Sequence, residues 1–593
     1  MQSARSGIQR TWFVNQHISV LVYRHSESRH SSREILAQLE SALRACLAAP
    51  PDEGACLDLL LRAGELECAL ADMESSGDRP TLCQPRAEGW DDRATDAETG
   101  LAPSPAQAAA LIADAAAAAL LGDASRLDEA LRQTAQLNPP EKLSIKPAEG
   151  FAFYAVHPRL YVRMVEELRL APCVAIVGIR SIGTTLSAVV TAAARQRGHY
   201  AERITVRPFG HPYGRQVRFD DTQRAWIAGQ IAKSADFLVV DEGPGRSGSS
   251  FLATAEALEG CGISRERIWL LCSHGCDPQA LLAHDAAARW PRFRVLSPHR
   301  AWLPIPAEAA IDVSGGKWRE HLLPSDAEWP ASWTATERLK FLARDRRWLF
   351  KFEGYGSFGG AALDRAEALW RAGFGPRVES AGQGFLAYEL LPGAAASGLS
   401  LSPELAQRLA AYCAFRAQEF AIAETDAKAL REMTQCNLRE EFAIEPPELN
   451  LEIARPAICD ARLQPHEWIV AATGELLKCD ATSHGDDHFY PGPCDIAWDI
   501  AGCIVEWRMS AAAADAFIAG YTRLTGDDVR LRLSEYLLAY TAFRMGSMKM
   551  AADSCSGSAD APRLLREYGR YRGLASVVSQ FVSRSVRQLE NVA

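Results

Sequence analysis

Residues 237–251 read FLVVDEGPGRSGSSF. Four apolar residues are followed by an acidic pair, a Gly-Pro-Gly turn and a loop of serine and glycine that opens a helical pattern. A continuous apolar run bounded by a tight turn fits a strand buried on both faces, as in a parallel sheet clad by helices. Ligands of such open sheets sit at the carboxyl ends of the strands. A Ser/Gly loop at a helix N-terminus offers backbone N–H groups, hydroxyls and the helix dipole to a phosphate, and small residues let the backbone come close. Ser247, Gly248, Ser249 and Ser250 would form that cradle. Asp241 and Glu242 at the strand end can accept hydrogen bonds from vicinal sugar hydroxyls.

Working outward, the same order recurs upstream in 174–190, VAIVGIRSIGTTLSAVV, where Arg180, Ser181 and Gly183 lie in the loop. The pattern predicts strands at 173–178, 203–206, 236–241 and 267–272, with helices at 184–196, 222–234 and 249–260. Between the two loops lies RPFGHPYGRQVR, 207–218, a basic turn carrying Arg207 and Arg215. Over 150–300 the chain resembles type I phosphoribosyltransferases. That resemblance implies a site for phosphoribosyl pyrophosphate (PRPP) with Mg²⁺. Asp241 and Glu242 would meet the ribose and the Ser247–Ser250 loop the 5′-phosphate. Arg180, Ser181 and Gly183 would meet the pyrophosphate, and Arg207 and Arg215 would lie in a mobile hood. Gly243-Pro244-Gly245-Arg246 departs from the family's apolar turn.

A second pattern begins near 310. WLFKFEGYGSFG, 348–359, puts Lys351 in a short strand, and ALDRAEALWRAG, 362–373, puts Glu367 in a helix. FLAYELLPG, 385–393, is a further strand. ICDARLQPHEWIVAATGELLKCDAT, 458–482, holds Asp460 and Asp480 with a hairpin turn at Thr473-Gly474 between them. This stretch resembles aminoglycoside-phosphotransferase-like kinases. The resemblance implies ATP bound by a Lys351–Glu367 pair, Asp460 as catalytic residue, and Asp480 on Mg²⁺, with Asp495 and Asp499 bracing the loop. Pro465 stands where the family has a metal-binding Asn, so Glu467 is the nearest second ligand. Ser483-His484-Gly485-Asp486 is a competing local match to the catalytic loop.

The first 145 residues carry no motif tied to chemistry. VNQHISVLVYRH, 13–24, alternates like a strand, residues 32–72 and 105–135 read as helices, and 74–104 is polar and rich in Gly and Pro, a mobile loop. The chain of 593 residues has net charge −10, which argues against bulk nucleic-acid binding. Fifteen dispersed cysteines suit reduced thiols in the cytoplasm. Cys272, His274 and Cys276 form an incomplete ligand set and read as a strand end and loop. No apolar run has the length of a signal peptide or membrane span.

The expected architecture is α/β multidomain. It has an α-rich region at 1–145, a parallel-sheet phosphoribosyltransferase-like domain at 146–305, and a two-lobed α+β kinase-like domain at 306–593. The expected function is a cytoplasmic bifunctional enzyme with small-molecule substrates, transferring phosphoribosyl from PRPP and phosphoryl from ATP. The alternative is a PRPP- or nucleotide-sensing regulator with a pseudokinase domain. Homo-oligomerisation stays open.

Overall fold

The computed structural model describes residues 28–48, 52–76, 104–472, 474–486 and 489–590. The strand expected at 13–24, most of the loop at 74–104 and Thr473 of the hairpin turn lie outside the described residues. The chain forms two compact units, divided between Pro304 and Ile305. No helix of the described residues is long and apolar enough to cross a membrane.

In the 27–304 unit, helices α1 (Ser32–Ala48), α2 (Glu53–Ser76), α3 (Pro105–Leu120) and α4 (Leu127–Gln136) precede the sheet. The helix expected over 105–135 is two helices, because Gly122 takes φ +96° just after α3. Ser104 opens α3 with a capping box to Gln107, and Pro105 sits where no N–H is needed. The parallel sheet comprises β1 (Cys173–Ile179), β2 (Tyr200–Val206), β3 (Asp236–Val240), β4 (Ile268–Leu271) and β5 (Arg294–Leu296), in the order β2-β1-β3-β4-β5. β1 pairs with β3 from Val174↔Asp236 to Gly178↔Val240. Val174, Ile176, Phe237 and Val239 have no exposed surface, as a sheet covered on both faces requires.

Helix α5 (Ile182–Gln196) follows β1 and packs against α2 and α3; α6 (Asp221–Ala232) and α7 (Ser249–Gly260) follow β2 and β3. A Cβ on Gly64 of α2 would lie 1.9 Å from Thr185 Oγ1 of α5, so only glycine permits this approach. Arg203 of β2 is buried against Glu67 of α2 (2.6 Å) and Asp114 of α3 (2.6 Å). The helices before 145 and the sheet after 146 therefore belong to one body.

The 305–593 unit starts with an antiparallel sheet of β6 (Ala309–Asp312), β7 (Lys340–Ala343), β8 (Trp348–Phe352), β9 (Val378–Gly382) and β10 (Phe385–Glu389), in the order β6-β7-β8-β10-β9. Helix α8 (Ser357–Arg371) packs on β9 and β10. The rest is mainly helical: α9 (Pro403–Glu419), α10 (Lys428–Phe442), α11 (Ala497–Glu506), α12 (Ala511–Thr525), α13 (Arg530–Ser554) and α14 (Ala561–Glu590). A hairpin, β11 (Trp468–Ala471) and β12 (Leu476–Lys478), is set between them, and Trp468, Trp498, Tyr412 and Tyr540 fill the core.

Candidate functional site

Two places collect the residues singled out by sequence. The first is the carboxyl edge of the parallel sheet. β1 and β3 are neighbours, so the loops that follow them emerge side by side. A Cβ on Gly183 would lie 2.5 Å from Val240 O and 3.2 Å from Asp241 Oδ1, so the β1 loop touches the β3 end. Gly248 takes φ +66° at the start of α7 and turns the serine loop into the helix. Burial pushes Asp241 up to about 7, opposed by the Glu242 and Gly183 amides and Arg207. Burial also drives Glu242 well above its ordinary value, with the Glu149 and Asp241 charges adding to it.

Arg180, expected to meet pyrophosphate, and Arg207, expected in the hood, are directed elsewhere. Arg180 donates to Ala71 O (2.9 Å) and Ser75 Oγ (2.7 Å) of α2 and to Thr205 Oγ1 (3.0 Å). Arg207 takes both oxygens of Asp72 on α2, at 2.9 Å through Nε and more closely through Nη2, and donates to Arg180 O (2.6 Å). Arg180 departs from the expected pyrophosphate contact, and Arg207 from the expected hood. The cause is a carboxylate more than a hundred residues upstream, which a buried guanidinium must find if no ligand supplies one. Arg215 donates to Gly210 O (2.9 Å) inside the hairpin 209–216. That hairpin closes on the serine loop: Ser249 Oγ donates to Pro212 O (2.5 Å) and lies 3.0 Å from Ser247 Oγ. Ser181 precedes α5 without a side-chain capping bond, and Ser250 O accepts from Thr254 Oγ1 (2.8 Å).

The second place is a cleft of about 740 Å³ in the 305–593 unit, between β7 and β8 on one side and the helical lobe on the other. Lys351 and Asp480 both line it. Lys351 Nζ donates to Asp480 Oδ1 (2.7 Å) and lies 3.0 Å from Glu353 Oε1. Burial alone would lower the Lys351 pKa, but the Asp480 and Glu353 charges carry it above the usual range. Burial likewise opposes ionisation of Asp480, yet Lys351 and His484 hold it well below the usual carboxylate range.

Glu353, and not Glu367, is the glutamate beside Lys351. Glu367 is a correction: it pairs with Arg371 one turn along α8. The inward face of α8 carries Ala362, Arg365, Ala366 and Leu369, and Arg365 donates to Thr482 O (2.7 Å). The signal for Glu353 was its spacing, since residues two apart along a strand share a face. Arg338 (3.2 Å), Tyr388 (2.8 Å), Thr482 (3.1 Å) and Ser483 (2.6 Å) also engage it.

Asp460 has no exposed surface and does not line the cleft. Tyr412 donates to its Oδ2 (2.5 Å), Lys478 Nζ lies 3.6 Å away, and burial is outweighed so that its pKa sits at about 2. Asp499 accepts the N–H groups of Asp460 (2.8 Å) and Ala461 (2.9 Å), holding Ala461 at φ +65°. His484 stands over Asp460 and does line the cleft. Its Nδ1 is 3.5 Å from Asp460 Oδ1 and its Nε2 is 3.4 Å from Asp480 Oδ2. The competing His-Gly-Asp match thus belongs to the same site as Asp460.

Glu467, the expected second metal ligand, is engaged by Arg462 (2.7 Å) and Lys478 (2.9 Å), and these cations hold it ionised against burial. Among the described residues no three His, Cys, Asp or Glu side chains are grouped to hold a metal ion, Cys272, His274 and Cys276 included. Asp480 alone still suits Mg²⁺, which binds one or two carboxylates and completes its shell with water and substrate phosphates.

No protein-family model and no curated protein matches the chain. Among solved structures, the choline kinase LicA from Streptococcus pneumoniae is similar at 14% identity and TM-score 0.29, over 40% of this chain and 89% of that one. An aminoglycoside phosphotransferase from Alicyclobacillus acidocaldarius is similar at 13% identity and TM-score 0.29, over 43% and 90%. The macrolide 2′-phosphotransferase MphH from Brachybacterium faecium is similar at 14% identity and TM-score 0.26, over 40% and 88%. Similarity at this level establishes no family.

Proposed function

We propose that the 305–593 unit transfers the γ-phosphoryl group of ATP to a hydroxyl of a small molecule. The observation that carries this reading is the ion pair of buried Lys351 with half-buried Asp480 facing a large cleft, with His484 spanning Asp480 and Asp460. In this reading Lys351 binds phosphate oxygens as a fixed charge. Asp480 would hold Mg²⁺, which when bound neutralises charge on the β- and γ-phosphates. His484 receives the proton of the acceptor hydroxyl, and the ionised Asp460 behind it orients the ring and steadies its charge. The acceptor oxygen bonds to phosphorus as the bond to the ADP oxygen breaks, so the protein contributes position and charge. The test is calorimetric titration of the full chain with ATP and Mg²⁺. Binding is expected for the wild type and strongly weakened in Lys351→Met; a wild-type chain that does not bind ATP overturns the reading.

For the 27–304 unit we infer a PRPP-binding role at the sheet edge. It is supported by Gly183, in the first turn of α5, lying against Asp241 at the end of β3. Engagement of Arg180 and Arg207 by Asp72 favours sensing over phosphoribosyl transfer, because transfer needs charge aimed at the departing pyrophosphate.

A further inference from the structure

The wall of the cleft carries seven lysine and arginine side chains against five carboxylates, in a chain whose net charge is −10. Four of the seven cations, Arg462, Arg508, Arg544 and Arg570, belong to the helical lobe. Arg544 of α13 lines the cleft with its side chain only 8% exposed. Its buried Nε has no hydrogen-bond partner among the described residues. The carboxylate beside it, Glu506, is 3.6 Å away and is already taken by Tyr540 (2.7 Å), Tyr571 (2.6 Å) and Arg570 (2.8 Å). A guanidinium whose neighbouring carboxylate is shared among three other donors leaves positive charge at the wall, which an oxyanion in the cleft would balance.

Two more arginines face the same cleft. Arg462 gives Nη2 to Glu467, a carboxylate it shares with Lys478, while its own Nε is buried and unpartnered. The Arg544 charge acts on Arg462, so the two lie within each other's field. Arg508 is exposed on the wall and takes φ +49°, a conformation that costs energy for a residue with a side chain.

We propose that this part of the cleft is an oxyanion subsite: the molecule that accepts the phosphoryl group carries a phosphate or carboxylate of its own, held by Arg544, Arg462 and Arg508. Its role as acceptor rests on the phosphotransferase reading; the binding of an anion does not. A cationic acceptor would meet three guanidinium groups, and the glutamates beside two of them, Glu467 and Glu506, are already shared with other donors.

The test titrates the full chain with phenyl phosphate, benzoate and benzyltrimethylammonium, and measures ATP affinity in parallel. Phenyl phosphate or benzoate is expected to bind, and the stronger of the two identifies the anion. Arg544→Gln should weaken that anion about tenfold or more and Arg508→Gln about threefold, with ATP affinity unchanged. Thermal unfolding of each variant checks its fold; if Arg544→Gln is misfolded, Arg508→Gln and Arg462→Gln decide. Binding of the ammonium probe alone, no anion binding up to about 10 mM, or anion affinity equal to wild type in the folded variants overturns the subsite. Anion binding without ATP binding would sink the phosphotransferase reading and leave the subsite standing.

Discussion

At the edge of the parallel sheet, Arg180 and Arg207 are spent on Asp72 and the backbone, and a hairpin carbonyl sits on Ser249. In the cleft of the other unit, Lys351 and Asp480 satisfy each other and still face open volume, and Arg544 keeps a buried donor unpaired. Both regions place charged residues at the ends of strands or in loops beside them. They differ in what the rest of the chain brings to those charges. A charge that the fold has already neutralised holds structure together; a charge left partly unanswered is available to a ligand.

The sharpest way to break this contrast is at Asp480. Asp480→Asn should lower phosphoryl transfer by about 10³-fold or more, roughly 4 kcal/mol, while thermal unfolding stays cooperative. Turnover near the wild-type rate would make Asp480 a structural partner of Lys351 and erase the difference between the regions.

Next in size is the buried ion pair that ties α2 and α3 to the sheet. Arg203→Ala leaves Glu67 and Asp114 buried without their partner and should cost about 3 kcal/mol, read by denaturant unfolding. A loss below about 1 kcal/mol would mean that the helices and the sheet do not depend on this pairing.

Asp241 sharpens the contrast through pH. Its pKa rises from 3.8 to about 7 on folding, so the folded state binds the proton more tightly. The stability it contributes is full below pH 3.8 and is lost as pH rises through about 7. Asp241→Asn cannot lose that proton, so it should flatten the decline by about 2 kcal/mol between about pH 5 and about pH 7. Parallel pH–stability curves for wild type and variant would place the titration elsewhere.

The smallest expected effect tests whether the sheet edge is closed by Asp72. Asp72→Asn removes the charge that occupies Arg207 and should raise affinity for inorganic pyrophosphate about fivefold, roughly 1 kcal/mol, by calorimetry. No gain would assign Arg180 and Arg207 to structure alone.

The sequence by itself determined the parallel sheet, with β1, β2, β3 and β4 near the expected positions, and the strands around Lys351 and Leu386. Apolar runs and helical spacing are local patterns, set by burial of neighbouring residues along one element. It also marked Lys351, Asp460, Asp480 and, as a competing match, His484. What it could not contain was the pairing of those charges. Glu353 in place of Glu367, His484 over Asp460, Asp72 on Arg207, and the helical-lobe arginines all depend on side chains brought together from distant segments. Long-range packing decides which ion meets which, because a buried charge is stabilised by whatever partner the fold delivers and not by its neighbours in sequence.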